Sequence, residues 1–383
     1  MTDKSPEAKK NQPNKVYELE SIRGVAALLI ILVHIPSWNS NFYDWRFITN
    51  AYLMVELFFV LSGYVIYNAY ANNISTGKDL MKFQFLRFAR LYPVHILFLS
   101  VYVAIEIAKY IASVKFGISS QNSKPFVENN FVALLQNIFL VQAIGPTGNH
   151  LTFNGPSWTI SVEFYTYFIF GLVVLLFNKY RNPIFISLFI LSIVLIATQT
   201  TFGFVNLLRC FAGFFAGCFV AFIKNRINLI INPVYSLLTL IAMIVFISFK
   251  ELLLYDWVVY LFAGVLIFTL TSSNGGVLKR ILNFKILIWL GTISYSLYMC
   301  HYSVIWLISQ VIRFVFKRPE KVIANISAPQ LNNLEAAFGY FAVLSISLVL
   351  GALVYKYIES PLRLRSREVS HGGLTINKKH TQL

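Results

Sequence analysis

Ten apolar runs, each close to the length that crosses a bilayer, constrain this chain more than any other feature. They fall near residues 19–37, 51–71, 92–114, 157–177, 183–200, 204–223, 233–249, 256–273, 286–315 and 335–357. About 20 mostly apolar residues cross the hydrocarbon core as a helix, and a helix satisfies its own backbone hydrogen bonds where no water is present. Composition agrees: 57% of the residues are hydrophobic and only 13% charged, too few charges to solvate a soluble surface. The expected fold is therefore all-α, a polytopic membrane bundle of about ten transmembrane helices. Residues 16–360 form the membrane domain, and 1–15 and 361–383 are cytoplasmic tails. A further apolar stretch, Phe131 to Ile144, is too short to span and reads as interfacial or re-entrant. The first run ends in Pro36-Ser37-Trp38 without a small-residue cleavage site, so it reads as a retained helix, not a signal peptide.

The formal charge of +16 would suggest nucleic acid in a soluble protein, but its placement argues otherwise. An even number of spans puts both ends on one side. With the ends inside, the inner links hold Lys78, Lys82, Arg87, Arg90, Lys179, Arg181, Lys224, Arg226, Lys279, Arg280 and Lys285, and both tails are basic. The outer links hold fewer, with a cluster Arg313, Lys317, Arg318 and Lys321 that runs against the trend. The bias predicts N-in and C-in by the positive-inside rule. Excess charge is then a topology signal with anionic lipid contact, and no nucleic-acid partner is expected. Cys210, Cys218 and Cys300 lie inside apolar runs and show neither a disulfide framework nor metal spacing, so no metal is expected.

Ionisable residues at membrane depth cost at least about 2.5–3.5 kcal/mol on insertion scales, so they point to function. Arg23 and His34 are eleven residues apart, three helical turns, on one face and roughly 16 Å apart along the axis. Val25 to Ile35 is too short to span alone, which puts Arg23 near the inner boundary and His34 in the outer part. His34 reads either as a base facing a cavity or as a histidine bonded to a neighbouring helix, with Arg23 snorkelling. Glu56, early in the second run, can reach the depth of His34 and orient its ring, or bind a helix end. Arg87 and Arg90, three apart, can clamp an anionic phosphate or act as ordinary inner anchors. Glu163 reads as a group binding an acceptor hydroxyl or as a packing carboxylate. Glu106 and Lys109 read as a structural pair. Arg209 is open between a pore, a phosphate and an interhelical contact, and His301 reads as a packed histidine.

Taken in order, these segments resemble the acyltransferase-3 family of bacterial membrane acyltransferases. Leu19-Glu20-Ser21-Ile22-Arg23-Gly24 followed by His34 is similar to its opening pattern, and Val55 to Gly63 to its acidic second-helix motif. Arg87, Arg90, Tyr92 and Pro93 resemble its Arg-x-x-Arg-x-Tyr-Pro. Ser157, Trp158, Ser161 and Glu163 resemble its Ser-Trp-Ser-Leu-Ser-x-Glu, with Thr159 in place of a serine. Ile293 to His301 resembles Ile-Ser-Tyr-Ser-Leu-Tyr-Leu-x-His, with Cys300 in place of tryptophan, and Glu359-Ser360-Pro361 its closing Glu-x-Pro. The resemblance covers nearly the whole chain and is to members without an appended esterase-like domain. It implies transfer from acyl-CoA, acetyl-CoA above all, as cosubstrate to a hydroxyl of a cell-surface or exported glycan or glycolipid, in the bacterial inner membrane. It implies His34 as base with Glu56 as its partner, Arg23, Arg87 and Arg90 on the coenzyme, and Ser157, Trp158 and Glu163 near the acceptor. The sugar, the acyl chain and the oligomeric state stay open. The rival expectation is a transporter or flippase for a polar or glycosylated substrate, against which stands the lack of internal repeats.

Overall fold

The computed structural model describes residues 16–118, 122–251, 253–323 and 326–370. The expected 1–15 tail, and His371 and His380 in the other tail, lie outside these residues.

Each of the ten apolar runs is helical. In chain order the helices are α1 (Tyr17–His34), α2 (Met54–Tyr70), α3 (Gly77–Phe116), α4 (Phe131–Ile138), α5 (Trp158–Leu176) and α6 (Arg181–Ala197). They continue as α7 (Val205–Arg226), α8 (Val234–Phe249), α9 (Val258–Ser272), α10 (Lys285–Phe314), α11 (Asn333–Val354) and α12 (Ser360–Ser370), joined by shorter helical turns. Among the described residues, 6 helical stretches are long and apolar enough to cross a membrane: Arg46–Tyr70, Gly77–Phe116, Gly155–Leu176, Asn178–Ala197, Val205–Arg226 and Asn333–Ser370. Helices α8 and α9 are apolar but shorter. The chain is thus an all-α, multi-pass membrane protein. Helices α1 and α10 are outside both groups: α1 carries Glu18, Glu20 and Arg23, and α10 is rich in Ser and Tyr and carries His301. The two helices that give up hydropathy are the two that meet at the candidate site.

Three local features depart from the sequence reading. The charged stretch ahead of residue 92 is not a link; α3 already starts at Gly77. Thr76 caps it by accepting from the Asp79 backbone N–H while the Asp79 carboxylate accepts from the Thr76 backbone N–H. A capping box satisfies orphan donors at a helix start, so Lys78 to Arg90 form the first turns of one 40-residue helix. At the other end, α11 passes through a π-helical turn, Tyr355–Glu359, into α12, so the chain is still helical well past residue 361. Ser296 on α10 donates to Glu359 at 2.6 Å, tying that turn into the bundle. Between α10 and α11 a two-stranded antiparallel hairpin, β1 (Glu320–Ile323) and β2 (Ile326–Pro329), pairs Glu320 with Pro329 and Val322 with Ser327. Helix α4 spans only Phe131–Ile138, capped by Asn130, so the short apolar patch does not cross.

Glycines set the two close crossings that matter here. A Cβ on Gly63 of α2 would overlap the Phe214 carbonyl of α7, and one on Gly217 of α7 would overlap the Val60 carbonyl. On α1 and α10, a Cβ on Gly24 would lie 2.6 Å from the Gly291 nitrogen, and one on Gly291 would overlap the Glu20 carbonyl. Between helices in lipid, packing replaces the hydrophobic effect, and small residues let backbones approach. The second crossing lays α1 along α10 and so places His34 beside His301.

Candidate active site

Helix α1 presents two of the expected site residues, Arg23 and His34, to two separate spaces. Near its start, Arg23 lines a cavity of about 90 Å³ together with Arg90 of α3, Ser62 of α2, Glu163 of α5 and Tyr298 of α10. At its other end, His34 lines a pocket of about 340 Å³ with Tyr43, Tyr102, Tyr302, Trp306 and Arg313. Val55, Phe58 and Ser62, at helical spacing on α2, wall the first space. Tyr298 stands between the two: it lines the first cavity, and its ring centroid is 5.7 Å from that of His301, which meets His34. Its hydroxyl donates to the Pro156 carbonyl at 3.1 Å and accepts from Thr159 at 3.3 Å, which docks the start of α5 on α10.

The cavity end carries charge. Arg23 has Glu20 at 3.7 Å, one turn back. The carboxylates within electrostatic reach of Arg90 are Glu359, Glu20 and Glu163. Glu163 accepts from Ser62 at 2.6 Å and from Tyr167. Arg87, one turn before Arg90, is turned aside: its Nη2 donates to the Tyr70 hydroxyl at 3.1 Å, its guanidinium lies 5.2 Å from that ring's centroid, and its Nε is buried without a partner.

The pocket end is aromatic and hydroxyl-lined. Tyr102 and Ser309 are among its lining residues, and their hydroxyls are buried with no hydrogen-bond partner. The His34 ring packs edge-on against Tyr302 at 5.5 Å between centroids. Its Nδ1 is 3.0 Å from Nε2 of His301, a wholly buried residue whose Nδ1 is 2.6 Å from the Tyr298 carbonyl oxygen. A histidine that opens onto a pocket in this way can take a proton from a bound hydroxyl.

Several sequence-predicted contacts are not made. Glu56 does not meet His34. Its carboxylate accepts from Arg209 of α7, with Nη2 at 2.5 Å and Nε at 2.7 Å, and from Tyr260 of α9 at 2.6 Å. The reason is rotational: Val55, Phe58 and Ser62 hold the cavity face of α2, which turns Glu56 toward α7 and α9. Arg209 is therefore an interhelical contact, and it also lies 4.7 Å from the Trp158 ring centroid. Of the expected acceptor residues, none lines the pocket beside His34. Ser157 is buried within 3.4 Å of Asn137 and Gln142, Trp158 packs between Phe59 and Arg209, and Glu163 lines the Arg23 cavity. The fourth-motif residues sit where α5 enters the bundle, so their spacing reports helix docking as much as ligand contact. The histidine that sequence reasoning set aside, His301, is the one that touches His34; its only sequence signal was a place in the ninth-run motif.

With that geometry in hand, comparison with known proteins is decisive for the family: residues 16–352 match the acyltransferase domain profile of acyltransferase-3 proteins. The chain belongs to the acyltransferase-3 family. Among curated relatives, the peptidoglycan O-acetyltransferase OatA of Listeria monocytogenes is 24% identical over 381 residues, covering 91% of this chain and 56% of that protein. The O-acetyltransferase OatA of Staphylococcus aureus is 23% identical over 383 residues, covering 92% of this chain and 58% of its own. Protein 2 in the picA locus of Rhizobium radiobacter is 41% identical over 101 residues, which is 26% of this chain and 50% of that one. The chain thus spans little more than half the length of these relatives. No solved structure matches. The matched acyltransferase-3 region includes Arg23, His34, Arg87, Arg90 and His301, so both spaces described above lie within the family domain.

Proposed function

We propose that this acyltransferase-3 protein moves an acyl group, acetyl as in the names of its relatives, from acyl-CoA to a hydroxyl of a cell-surface or exported glycan in the bacterial inner membrane. The observation that carries the reading is the placement of two residues of one helix, Arg23 on a charged cavity and His34 on an aromatic pocket. With ten spans and both ends inside, the Arg23 end faces the cytoplasm and the His34 end faces outward, in keeping with the inner excess of Lys and Arg. Arg23 and Arg90, which line the same cavity, hold coenzyme phosphate, which suits guanidinium forks. Aromatic rings and unpartnered hydroxyls beside His34 suit a sugar, which offers C–H faces and hydroxyls.

The chemistry balances without further reactants. His34 takes the proton of the acceptor hydroxyl as its oxygen attacks the thioester carbon. The new O–C bond forms, the C–S bond breaks, and the proton passes from His34 to the departing thiolate. The acyl end must pass Tyr298 to reach His34. Holding both substrates at one point supplies the remainder of the rate, because the thioester is already activated.

The test measures acetyl transfer from radiolabelled acetyl-CoA to endogenous glycan in inverted membrane vesicles. His34→Ala is expected to lose at least about 100-fold in kcat, and Arg90→Gln to raise the acetyl-CoA KM. Native-level transfer by His34→Ala would remove the mechanism; vesicles of the native protein with no coenzyme-dependent transfer would favour transport instead.

A further inference from the structure

The His34–His301 contact has a consequence for which nitrogen of His34 holds its proton. His301 is wholly buried, and its Nδ1 lies 2.6 Å from the Tyr298 carbonyl oxygen, one turn back in α10. A carbonyl oxygen only accepts, so this Nδ1 carries hydrogen. The rings packed around His301 are those of His34, Tyr298 and Tyr302, and among the described residues no carboxylate is hydrogen-bonded to it. A second proton would leave an unpaired cation in that place, so Nε2 of His301 is a bare lone pair. That lone pair is 3.0 Å from Nδ1 of His34, and two ring nitrogens share a hydrogen bond only if one of them supplies the hydrogen. Nδ1 of His34 therefore donates, and the Ile30 carbonyl one turn back in α1, which can only accept, is the other group in reach of that ring. A neutral imidazole carries one hydrogen, so Nε2 of His34 is left bare on a ring that lines the 340 Å³ pocket.

We propose that His301 is the positioning residue of the reaction: it accepts from Nδ1–H of His34, locks that tautomer, and aims the bare Nε2 at the acceptor hydroxyl. The role is the one a carboxylate fills in a catalytic triad, performed here by a neutral ring. Glu56 is unavailable for it, being bound to Arg209 and Tyr260. A neutral partner stabilises the imidazolium of His34 less than a carboxylate would. That is sufficient where the acyl group arrives as a thioester and the departing thiolate takes the proton back. The inference rests on the acyl-transfer reading for its catalytic meaning, but the tautomer itself does not.

The experiment has two arms on the full chain. In the first, the protein is grown on heavy-nitrogen-labelled histidine, placed in lipid, and its ring-nitrogen NMR shifts are assigned by loss in His34→Ala. The native protein is expected to show His34 with Nδ1 protonated and Nε2 bare. His301→Phe shifts His34 to a mixture of tautomers, and His301→Gln, whose amide oxygen can accept in place of Nε2, restores the native form. A native His34 protonated on Nε2, or a tautomer indifferent to His301→Phe, overturns the proposal. The second arm uses the vesicle assay. His301→Phe is expected to lower kcat by about 100-fold or more with the acetyl-CoA KM unchanged, and His301→Gln to recover most of it. Native kcat in a folded His301→Phe variant, judged by detergent gel filtration, also overturns it. Absence of any transfer by the native protein, with the first arm as expected, would sink the acyl-transfer reading and leave the tautomer lock standing.

Discussion

Replacing Arg209 by methionine should destabilise the bundle strongly while the paired replacement of both partners should not. Glu56 is 1% exposed and accepts three hydrogen bonds: two from Arg209, at 2.5 and 2.7 Å, and one from Tyr260 at 2.6 Å. Removing Arg209 leaves a carboxylate between helices α2, α7 and α9 with the Tyr260 hydroxyl as its remaining partner. Stranding one member of a buried pair costs about 3–5 kcal/mol. The Arg209 side chain is about 25% exposed, which places the loss near the lower figure. The contact with the Trp158 ring, at 4.7 Å, adds about 0.5–1 kcal/mol at such a site. A cost of about 3 kcal/mol corresponds to a fall of roughly 4 °C in apparent Tm for a chain of 383 residues. The assay is thermal unfolding in detergent followed by gel filtration. Glu56→Met with Arg209→Met together should recover most of the loss, since a well-packed apolar pair replaces a buried ion pair at little cost. If Arg209→Met melts with the native protein, or the double variant is worse than the single, the pair is not the clamp argued here. If Glu56→Gln abolishes transfer without changing Tm, Glu56 serves the chemistry after all.

Gly291→Leu should fail to assemble a bundle stable in detergent, because its side chain must displace the Glu20 backbone of α1, whereas Thr292→Leu on the neighbouring face should fold; gel filtration of both distinguishes them. The hairpin at the α10–α11 link should loosen in acid. Burial pushes the Glu320 carboxyl up, but hydrogen bonds from Arg313 and Ser327 and the Arg313 charge outweigh it and hold it below the ordinary value of 4.5. A depressed carboxyl adds stability that is complete above that ordinary value and is lost as pH falls through the folded one. Hydrogen exchange in β1 and β2 should therefore be flat from neutral pH to about 5 and, after correction for the intrinsic rate, rise below it, while Glu320→Gln should be loose at neutral pH. A pH-independent hairpin would show that the Arg313 contact carries no weight.

Helix existence was legible in the chain because hydropathy is a local property: a run such as 335–357 has no other stable form in lipid, whatever its neighbours. The Arg23–His34 spacing was legible for the same reason, since one helix fixes their separation along its axis. Short-range signals also decide more than the charge pattern suggests, as the Thr76–Asp79 box shows by starting α3 well before its apolar core. What no local signal contains is the direction in which a helix is turned within the bundle. Glu56 faces Arg209 instead of His34, because the close approach at Gly63 and Gly217 and the cavity face of Val55, Phe58 and Ser62 set the rotation of α2. His34 and His301 are 267 residues apart in sequence and 3.0 Å apart in space, joined by the crossing at Gly24 and Gly291. Sequence alone thus determined which segments are helices and which polar groups they carry at depth. Only the packing of one helix against another, a matter of backbone contact and rotation, decided which of those groups meet.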